Sequence, residues 1–142
     1  MHTKLPVAVV SIVIRNNKIL LLKRKNTPWM NGYWGVPGGR LDEGESMTIG
    51  AIRELQEEVG LKINEKNINF KSIIQHKDDR GERLYFVIEV VDFLGKPINL
   101  ELEKCEEIKW FALSNLPENI TSQVEICLKV IQNKINYMEF GY

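Results

Sequence analysis

The segment GRLDEGESMTIGAIRELQEEVGL, residues 39–61, carries the strongest structural signal in the 142-residue chain. Its second half predicts a helix that begins after Ser46 and runs to about Val59, because a serine hydroxyl can accept a hydrogen bond from a first-turn N–H. Gly60 suits the left-handed position that follows a helix. One side of this helix can pack on a sheet: Thr48, Ile52, Leu55 and Val59.

Three glutamates share another side of the predicted helix. At about 100° per residue, Glu57 lies roughly −60° and Glu58 roughly +40° from Glu54, so the carboxylates span one arc. Like charges at these spacings repel and weaken an isolated helix. A hard divalent cation would remove the repulsion, and Mg²⁺ commonly binds carboxylates together with substrate phosphates. The alternative is a solvated acidic face, which is the commoner explanation of an isolated E-x-x-E-E pattern.

The surroundings of these glutamates favour a functional site. Gly38-Gly39 stand at the start of the segment, Glu45 lies at the helix entrance, and Arg53 directly precedes Glu54. With these residues the segment resembles the Nudix box, G-x5-E-x7-R-E-U-x-E-E-x-G-U, in which U is aliphatic. The matching positions are Gly39, Glu45, Arg53, Glu54, Leu55, Glu57, Glu58, Gly60 and Leu61. Two flanking segments also resemble the family: Trp34–Pro37 and Glu101–Pro117.

The resemblance to the Nudix family implies an α/β/α sandwich with a central mixed β-sheet. It also implies a hydrolase that acts on nucleoside diphosphates linked to another group. By this resemblance, Glu54, Glu57 and Glu58 match the glutamates that bind Mg²⁺ or Mn²⁺. The carbonyl of Gly38 matches a backbone metal ligand that some members of the family have. A carboxylate near the metals would help to take the proton of the attacking water, and Glu54 is the candidate general base because it belongs to the Arg53-Glu54 pair of the box.

Other positions of the candidate site follow from the same resemblance. Glu45 and Arg53 match an ion pair that holds the loop against the helix, which is a structural role. Gly38 and Gly39 would let the backbone approach a phosphate or a metal closely, because they lack a side chain. Arg24 matches a basic residue that reaches substrate phosphate in relatives, and arginine suits such contacts. An ordinary surface charge is the alternative for Arg24.

Weaker signals lie outside the box. Four glutamates are alternative bases or ligands, although each by itself is more simply a solvated charge: Glu101, Glu103, Glu106 and Glu107. We expect Cys105 and Trp34 to pack in the core and leave Trp29 open between core and base stacking. His76 is expected to be a surface histidine, and Asn119 a turn residue.

The remaining sequence reads as one domain, residues 1–142, because no repeat, low-complexity stretch or linker divides it. Apolar or alternating segments predict six strands: Leu5–Ile14, Ile19–Lys23, Trp34–Val36, Ile68–His76, Leu84–Val91 and Glu107–Ala112. Pro37-Gly38-Gly39 is expected to stop the third strand, and the fifth is apolar on both faces, as in a central strand. Ser122–Ile135 predicts an amphipathic helix. Strands with two helices around them favour three layers.

Composition excludes several classes of protein. With 19 Lys+Arg and 19 Asp+Glu, the chain lacks the basic charge of a protein that grips long nucleic acid, such as an mRNA-decapping enzyme. The apolar run Val7–Ile14 is too short to cross a bilayer and lacks the flanks of a signal peptide. Two cysteines, Cys105 and Cys127, are too few for a disulfide framework, which favours a cytoplasmic location.

These observations predict a metal-dependent hydrolase whose partner is a small nucleotide. The first expectation is a nucleoside triphosphate, including an oxidised one, cut to monophosphate and pyrophosphate. A nucleotide sugar or dinucleotide cut at its diphosphate is the second. A module that senses nucleotides without catalysis is a third, but a sensor has no reason to maintain a repulsive carboxylate cluster. The sequence is compatible with a homodimer and does not decide the oligomeric state.

Overall fold

Eight strands and two α-helices make up the computed structural model, which describes all 142 residues. In chain order the elements are β1 Val7–Arg15, β2 Lys18–Arg24, β3 Trp34–Gly35, β4 Gly38–Arg40, α1 Met47–Val59, β5 Ile68–Asp78, β6 Gly81–Val90, β7 Cys105–Ala112, α2 Ser122–Gln132 and β8 Tyr137–Phe140. A short 3₁₀ helix, Glu65–Asn67, precedes β5. Neither helix is long and apolar enough to cross a membrane.

The strands form one mixed sheet in the order β3-β2-β1-β6-β5-β8, while β4 pairs with β1 and β7 pairs with β2. The β1–β6 and β5–β8 pairs are parallel, and the others are antiparallel. Two strands share one edge of β1: β2 pairs with its end through Ile14 and Arg15, and β4 pairs with its beginning through Ala8, Val9 and Val10. The sheet therefore divides beside β1, and the candidate site lies at this division.

The two faces of the sheet carry separate apolar cores. Alternate residues of β1 enter each core, since successive strand side chains point to opposite faces. One core packs beneath α1 and includes Val9, Val13, Leu55 and Val59. The other packs beneath α2 and includes Val10, Ile12, Val124 and Cys127. The predicted α/β/α sandwich is confirmed, as is the central position of β6, which contributes to both cores.

The boundaries of α1 follow the sequence signals at its ends. The Ser46 hydroxyl accepts a hydrogen bond from the backbone N–H of Ile49 at 3.2 Å. Gly60 adopts a left-handed conformation, with φ of 67°, and its N–H donates to Gln56 O. Both groups satisfy backbone atoms that a helix end leaves unpaired. The predicted extent of this helix, from after Ser46 to Val59, is confirmed.

The structure differs from the sequence prediction at several elements. Gly38 and Gly39 do not simply follow a strand end, because they form β4 with Arg40. A Cβ on Gly38 would lie 2.5 Å from the Val9 carbonyl oxygen, so a residue with a side chain would strain the pairing of this strand with β1. The sequence does not predict the edge strand β8, because its residues show no clear alternation of apolar and polar side chains. Helix α2 ends at Gln132 and not at the predicted Ile135.

Candidate active site

A cavity of about 510 Å³ opens between β2, β4, α1 and the segment before β7. All the predicted metal and substrate residues line it: Arg24, Gly38, Gly39, Glu54, Glu57 and Glu58. The other charged residues of its wall are Lys23, Glu101 and Lys104. The structure therefore brings together residues that are up to eighty positions apart in the sequence.

Glu54 and Glu58 converge at the floor of this cavity. The Gly38 N–H donates to Glu58 Oε2 at 3.2 Å, and a Cβ on Gly39 would overlap the Glu54 carboxylate. Burial raises the pKa of Glu58 well above its usual value, and the nearby Glu54 carboxylate raises it further. Two carboxylates held this close together suit a bound cation, which can take the place of the proton that the raised pKa of Glu58 favours.

Glu57 is placed differently from the other two glutamates of the helix. Its side chain is 56% exposed, and its Oε2 accepts from Arg53 Nη1 at 3.3 Å. No three His, Cys, Asp or Glu side chains are already gathered as a set of metal ligands. The donor set nevertheless fits a hard divalent cation, because Glu54 and Glu58 supply carboxylate oxygens beside the Gly38–Gly39 backbone and Glu57 lines the same cavity.

Arg53 connects the glutamates of α1 to the loop before this helix. Its Nε and Nη2 donate to the two carboxylate oxygens of Glu45 at 2.7 and 2.8 Å. Its Nη2 also donates to Arg40 O at 3.1 Å, and its Nη1 donates to Glu54 Oε1 at 2.7 Å. The hydrogen bonds from Arg53 to Glu45, aided by the one from the Asp42 N–H, lower the pKa of Glu45 to about 2. Arg53 thus links Glu45 in the loop before α1 to Glu54 on the helix.

Arg24 reaches the cavity from the end of β2. Its Nε donates to the Trp29 carbonyl at 2.9 Å, and its Nη2 donates to Thr27 Oγ1 at 3.1 Å. Burial lowers the pKa of Arg24, as does the neighbouring Arg80 guanidinium, while Glu58 opposes the shift. The loop after β2 therefore holds a cation in the same cavity as the carboxylates, where it could meet an anionic phosphate.

Comparison with known proteins identifies the family of this fold. A family model described as a NUDIX domain matches residues 4–129. The chain belongs to the Nudix family. The match covers every wall of the cavity and extends well beyond the glutamate-bearing helix.

Several Nudix relatives are similar over most of the chain. An ADP-ribose pyrophosphatase of Methanocaldococcus jannaschii is 35% identical over 79% of this chain and 64% of its own length. An 8-oxo-dGTP diphosphatase of Escherichia coli K12 is 32% identical over 80% of this chain and 84% of its own. A MutT NUDIX hydrolase structure from Burkholderia pseudomallei has a TM-score of 0.82 and 30% identity, covering 91% of this chain and 99% of that chain.

Some of these matches are partial. The chain spans less than two thirds of the Methanocaldococcus protein. It also matches an 8-oxo-dGTP diphosphatase of Buchnera aphidicola with 44% identity over 55 residues, which is 42% of that protein's length.

The glutamates outside the Nudix box separate into different environments. Only Glu101 lines the cavity, where its charge contributes to the raised pKa of Glu58. Glu106 pairs instead with Lys23 at 3.4 Å. Sequence reasoning missed Lys104, which also lines the cavity. The sequence signal for Lys104 was its place in the ELEKC run of residues 101–105, directly before Cys105.

Other singled-out residues have packing roles. Trp34 is 7% exposed and packs edge-on against Phe111, which confirms its core position. Cys105 is buried, and burial raises the pKa of its thiol. His76 is not a fully exposed surface residue, because its ring packs against Phe140, but it does not line the cavity. Asn119 donates to Gly32 O at 2.8 Å and so ties two loops together.

Proposed function

We propose that this Nudix chain is a metal-dependent hydrolase that cleaves a pyrophosphate bond in a nucleotide, with Mg²⁺ or Mn²⁺ as cofactor. The observation that supports the proposal is a cavity lined both by the Glu54 and Glu58 carboxylates and by the basic side chains of Arg24 and Lys104. Carboxylates alone would repel a phosphate chain. A divalent cation between them and the substrate would reverse that effect, and the two basic side chains would hold further phosphate oxygens.

Glu54, Glu57 and Glu58 are the proposed metal ligands, together with the carbonyl of Gly38. A bound divalent ion would neutralise charge on the phosphates and lower the pKa of a coordinated water. Glu54 is the proposed general base that accepts the proton of the attacking water, and Arg53 holds its carboxylate in place through a 2.7 Å hydrogen bond. Glu101 is the alternative base, because it is the one outside glutamate in the cavity wall.

A nucleoside triphosphate is the proposed substrate, with a monophosphate and pyrophosphate as products. An oxidised purine triphosphate is favoured by the relatives named 8-oxo-dGTP diphosphatase, one of which aligns over 84% of its length. A nucleoside diphosphate linked to a sugar is the second candidate. The specific observation in its favour is the similarity to an ADP-ribose pyrophosphatase over 79% of this chain.

Two further properties follow from this proposal. The substrate is a small molecule and not long nucleic acid, because the chain has equal numbers of acidic and basic residues and the basic residues Lys23, Arg24 and Lys104 line a single cavity. We also propose a cytoplasmic location, where nucleotides are available and where the free, buried thiols of Cys105 and Cys127 would stay reduced.

The test is a product-resolved screen of the purified protein with Mg²⁺ and with Mn²⁺. The substrates are dGTP, its 8-oxo derivative, ADP-ribose and a dinucleoside polyphosphate, and chromatography identifies each product. We expect the highest kcat/KM for a triphosphate that yields pyrophosphate. Glu43→Gln, which changes an exposed glutamate outside the cavity, is the matched control for Glu58→Gln. Higher kcat/KM for ADP-ribose would select the second candidate, and no turnover of any nucleotide would refute the hydrolase assignment.

A further inference from the structure

A tryptophan outside the cavity connects two arginines from distant parts of the chain. The Arg24 guanidinium carbon lies 5.1 Å from the centre of the Trp29 ring, and that of Arg80 lies 4.6 Å from it. Arg24 lines the cavity, whereas Trp29 and Arg80 do not. Arg80 comes from the turn between β5 and β6, so this contact joins the hairpin tip to the loop after β2.

The loop after β2 has its own internal structure around Thr27. The Thr27 N–H donates to Asn31 Oδ1 at 2.9 Å, and Asn31 Nδ2 donates back to Thr27 O at 2.8 Å. The loop also contains left-handed backbone at Asn26 and Met30, with φ of 50° and 46°. Such conformations are unfavourable for residues other than glycine and persist where surrounding contacts hold them. A contact from outside the loop is therefore useful for its stability.

Hydrogen bonds to Asp78 fix the orientation of the Arg80 side chain that packs over Trp29. Its Nη2 and Nε donate to Asp78 Oδ2 at 2.9 and 3.3 Å, and its backbone N–H donates to Asp78 Oδ1 at 2.9 Å. Arg83 donates to the same carboxylate. Asp78 thus anchors the tip of the hairpin, and the Arg80 side chain, although 43% exposed, extends over the indole.

The ordered loop in turn fixes Arg24. Two of the guanidinium nitrogens are used within the loop, Nε on the Trp29 carbonyl and Nη2 on Thr27 Oγ1. No hydrogen bond within the chain engages Nη1, which remains able to donate to a ligand. A guanidinium restrained at two nitrogens loses less rotational freedom when it binds an anion than a free side chain does.

We infer that Trp29 and Arg80 are positioning residues, which hold the Arg24 guanidinium ready to bind a substrate phosphate from the cavity wall. This inference rests on the proposed function, because it assumes that the cavity binds phosphate. It assigns a role to a hairpin tip that lies outside the cavity. Arg80 acts only through Trp29 and Arg24 and does not contact the substrate.

Steady-state kinetics of four variants test the inference. Arg80→Ala raises KM roughly two- to fivefold with kcat and Tm unchanged, the range that one exposed cation–π contact supplies. Arg80→Lys restores most of the loss, because it keeps a cation over the indole. Arg24→Ala raises KM further. Adding Arg80→Ala to Arg24→Ala has no extra effect, since coupled residues are not additive.

Lys77→Ala is the matched control, because it removes one positive charge from the same hairpin. Lys77 lies over Tyr142, 5.6 Å from the ring centre, and not over Trp29. The KM of Lys77→Ala stays at the wild-type value if the contact of Arg80 with Trp29, and not its long-range charge, causes the rise in KM of Arg80→Ala. Equal effects of Lys77→Ala and Arg80→Ala would overturn the inference. Additive effects of Arg80→Ala and Arg24→Ala would do the same, because Arg80 would then act on the substrate directly.

A second measurement separates this inference from the proposed function. In ¹⁵N NMR spectra of the wild type, the Arg24 Nε–H resonance should be shifted by the indole ring and protected from exchange; Arg24→Lys, which removes it, assigns it. Arg80→Ala should reduce both effects and weaken binding of inorganic pyrophosphate, with Mg²⁺ present, by the same two- to fivefold factor. An unchanged resonance overturns the inference. A changed resonance with weaker pyrophosphate binding but no nucleotide turnover supports it and refutes the proposed function alone.

Discussion

Glu45 and Arg53 form a two-point ion pair between the loop before α1 and the helix, with N–O distances of 2.7 and 2.8 Å. The Glu45 side chain is only 9% exposed, so the pair is shielded from water. The same guanidinium holds Glu54 at 2.7 Å. The pair therefore supports both the local fold and the position of the candidate base.

Arg53→Ala should lower stability as well as activity. It leaves the shielded Glu45 carboxylate without its partner, and a charge left unpaired in this way is unfavourable. We expect Tm to fall by on the order of 5 °C or more in thermal unfolding followed by circular dichroism. The exposed Glu43→Gln is the control, with an unchanged Tm. An Arg53→Ala protein of wild-type Tm that has lost only activity would contradict the structural role.

Glu45 should also make the protein sensitive to acid. Its folded pKa is about 2, against roughly 4.3 for an unfolded glutamate. A lowered folded pKa adds stability above the unfolded pKa, and this stability is lost as pH falls towards the folded value. The wild type should therefore lose stability between about pH 4.5 and 2, and Glu45→Gln should lose less over that interval. Urea unfolding at several pH values measures the difference; parallel pH profiles for both proteins would contradict it.

Two adjacent glycines should give opposite phenotypes when changed to alanine. At Gly38 the new Cβ would lie 2.5 Å from a backbone oxygen of β1, so Gly38→Ala strains the β1–β4 pairing. Overpacking of this kind typically costs about 1–3 kcal/mol of stability. At Gly39 the Cβ meets the flexible end of Glu54, which can move. Gly39→Ala should therefore keep its Tm and lose kcat, and equal losses of Tm in both variants would contradict this distinction.

Glu58→Gln should impair catalysis while raising stability without metal. Because burial and Glu54 raise the pKa of Glu58, its ionisation opposes folding above the unfolded pKa, including at pH 7. The amide removes this penalty, so Tm in chelator should hold or rise. We expect kcat to fall by about 100-fold or more if Glu58 is a direct metal ligand. Mutation of a group that only orients a metal ligand already lowers metal affinity or activity roughly 10- to 100-fold.

Glu57→Gln is the comparison for that variant. Glu57 is more exposed and already bonded to Arg53, so its replacement should change Tm less. Its kcat should nevertheless fall, because Glu57 lines the cavity. Loss of activity that unfolding fully accounts for, in either variant, would contradict a catalytic role.

Activity should require a divalent cation. The Glu54 carboxylate lies close enough to Glu58 to raise the pKa of Glu58, and a hard cation satisfies both carboxylates. Nucleotide hydrolysis should cease after chelation and return with Mg²⁺ or Mn²⁺, while the circular dichroism spectrum stays the same. Full turnover in excess chelator would refute the metal assignment.

The sequence predicted the helix and its carboxylates well because local signals define them. Ser46 and Gly60 cap α1 as expected, and the helical period places Leu55 and Val59 in the core. The same period gives only an angle for each glutamate. It could not show that Glu57 turns to Arg53 while Glu58 meets the Gly38 N–H, because those contacts depend on rotamers and on another strand.

Contacts between distant segments were the least predictable part of the site. Trp29 and Arg80 are fifty-one positions apart and follow no periodic pattern, so only the fold shows that they meet. Lys104 enters the cavity because the segment before β7 passes beside Arg24, with Lys25 N donating to Lys104 O at 3.0 Å. Such contacts depend on how the loops cross, which residue spacing does not encode.

The bond that is cleaved gives the last prediction. If the carboxylate-bound cation and Arg24 hold the phosphate chain, water attacks phosphorus and never the sugar carbon. In ¹⁸O-labelled water, mass spectrometry should find the label on a phosphate of one product, which also identifies the attacked phosphorus.

A triphosphate should give monophosphate and pyrophosphate, because the basic side chains can hold pyrophosphate as it leaves. Products formed in ordinary water and then moved to labelled water control for exchange. Orthophosphate as the first product would mean attack at the terminal phosphorus. That result would keep the metal site but overturn the proposed substrate orientation, and Arg24 would lose its place beside the leaving pyrophosphate.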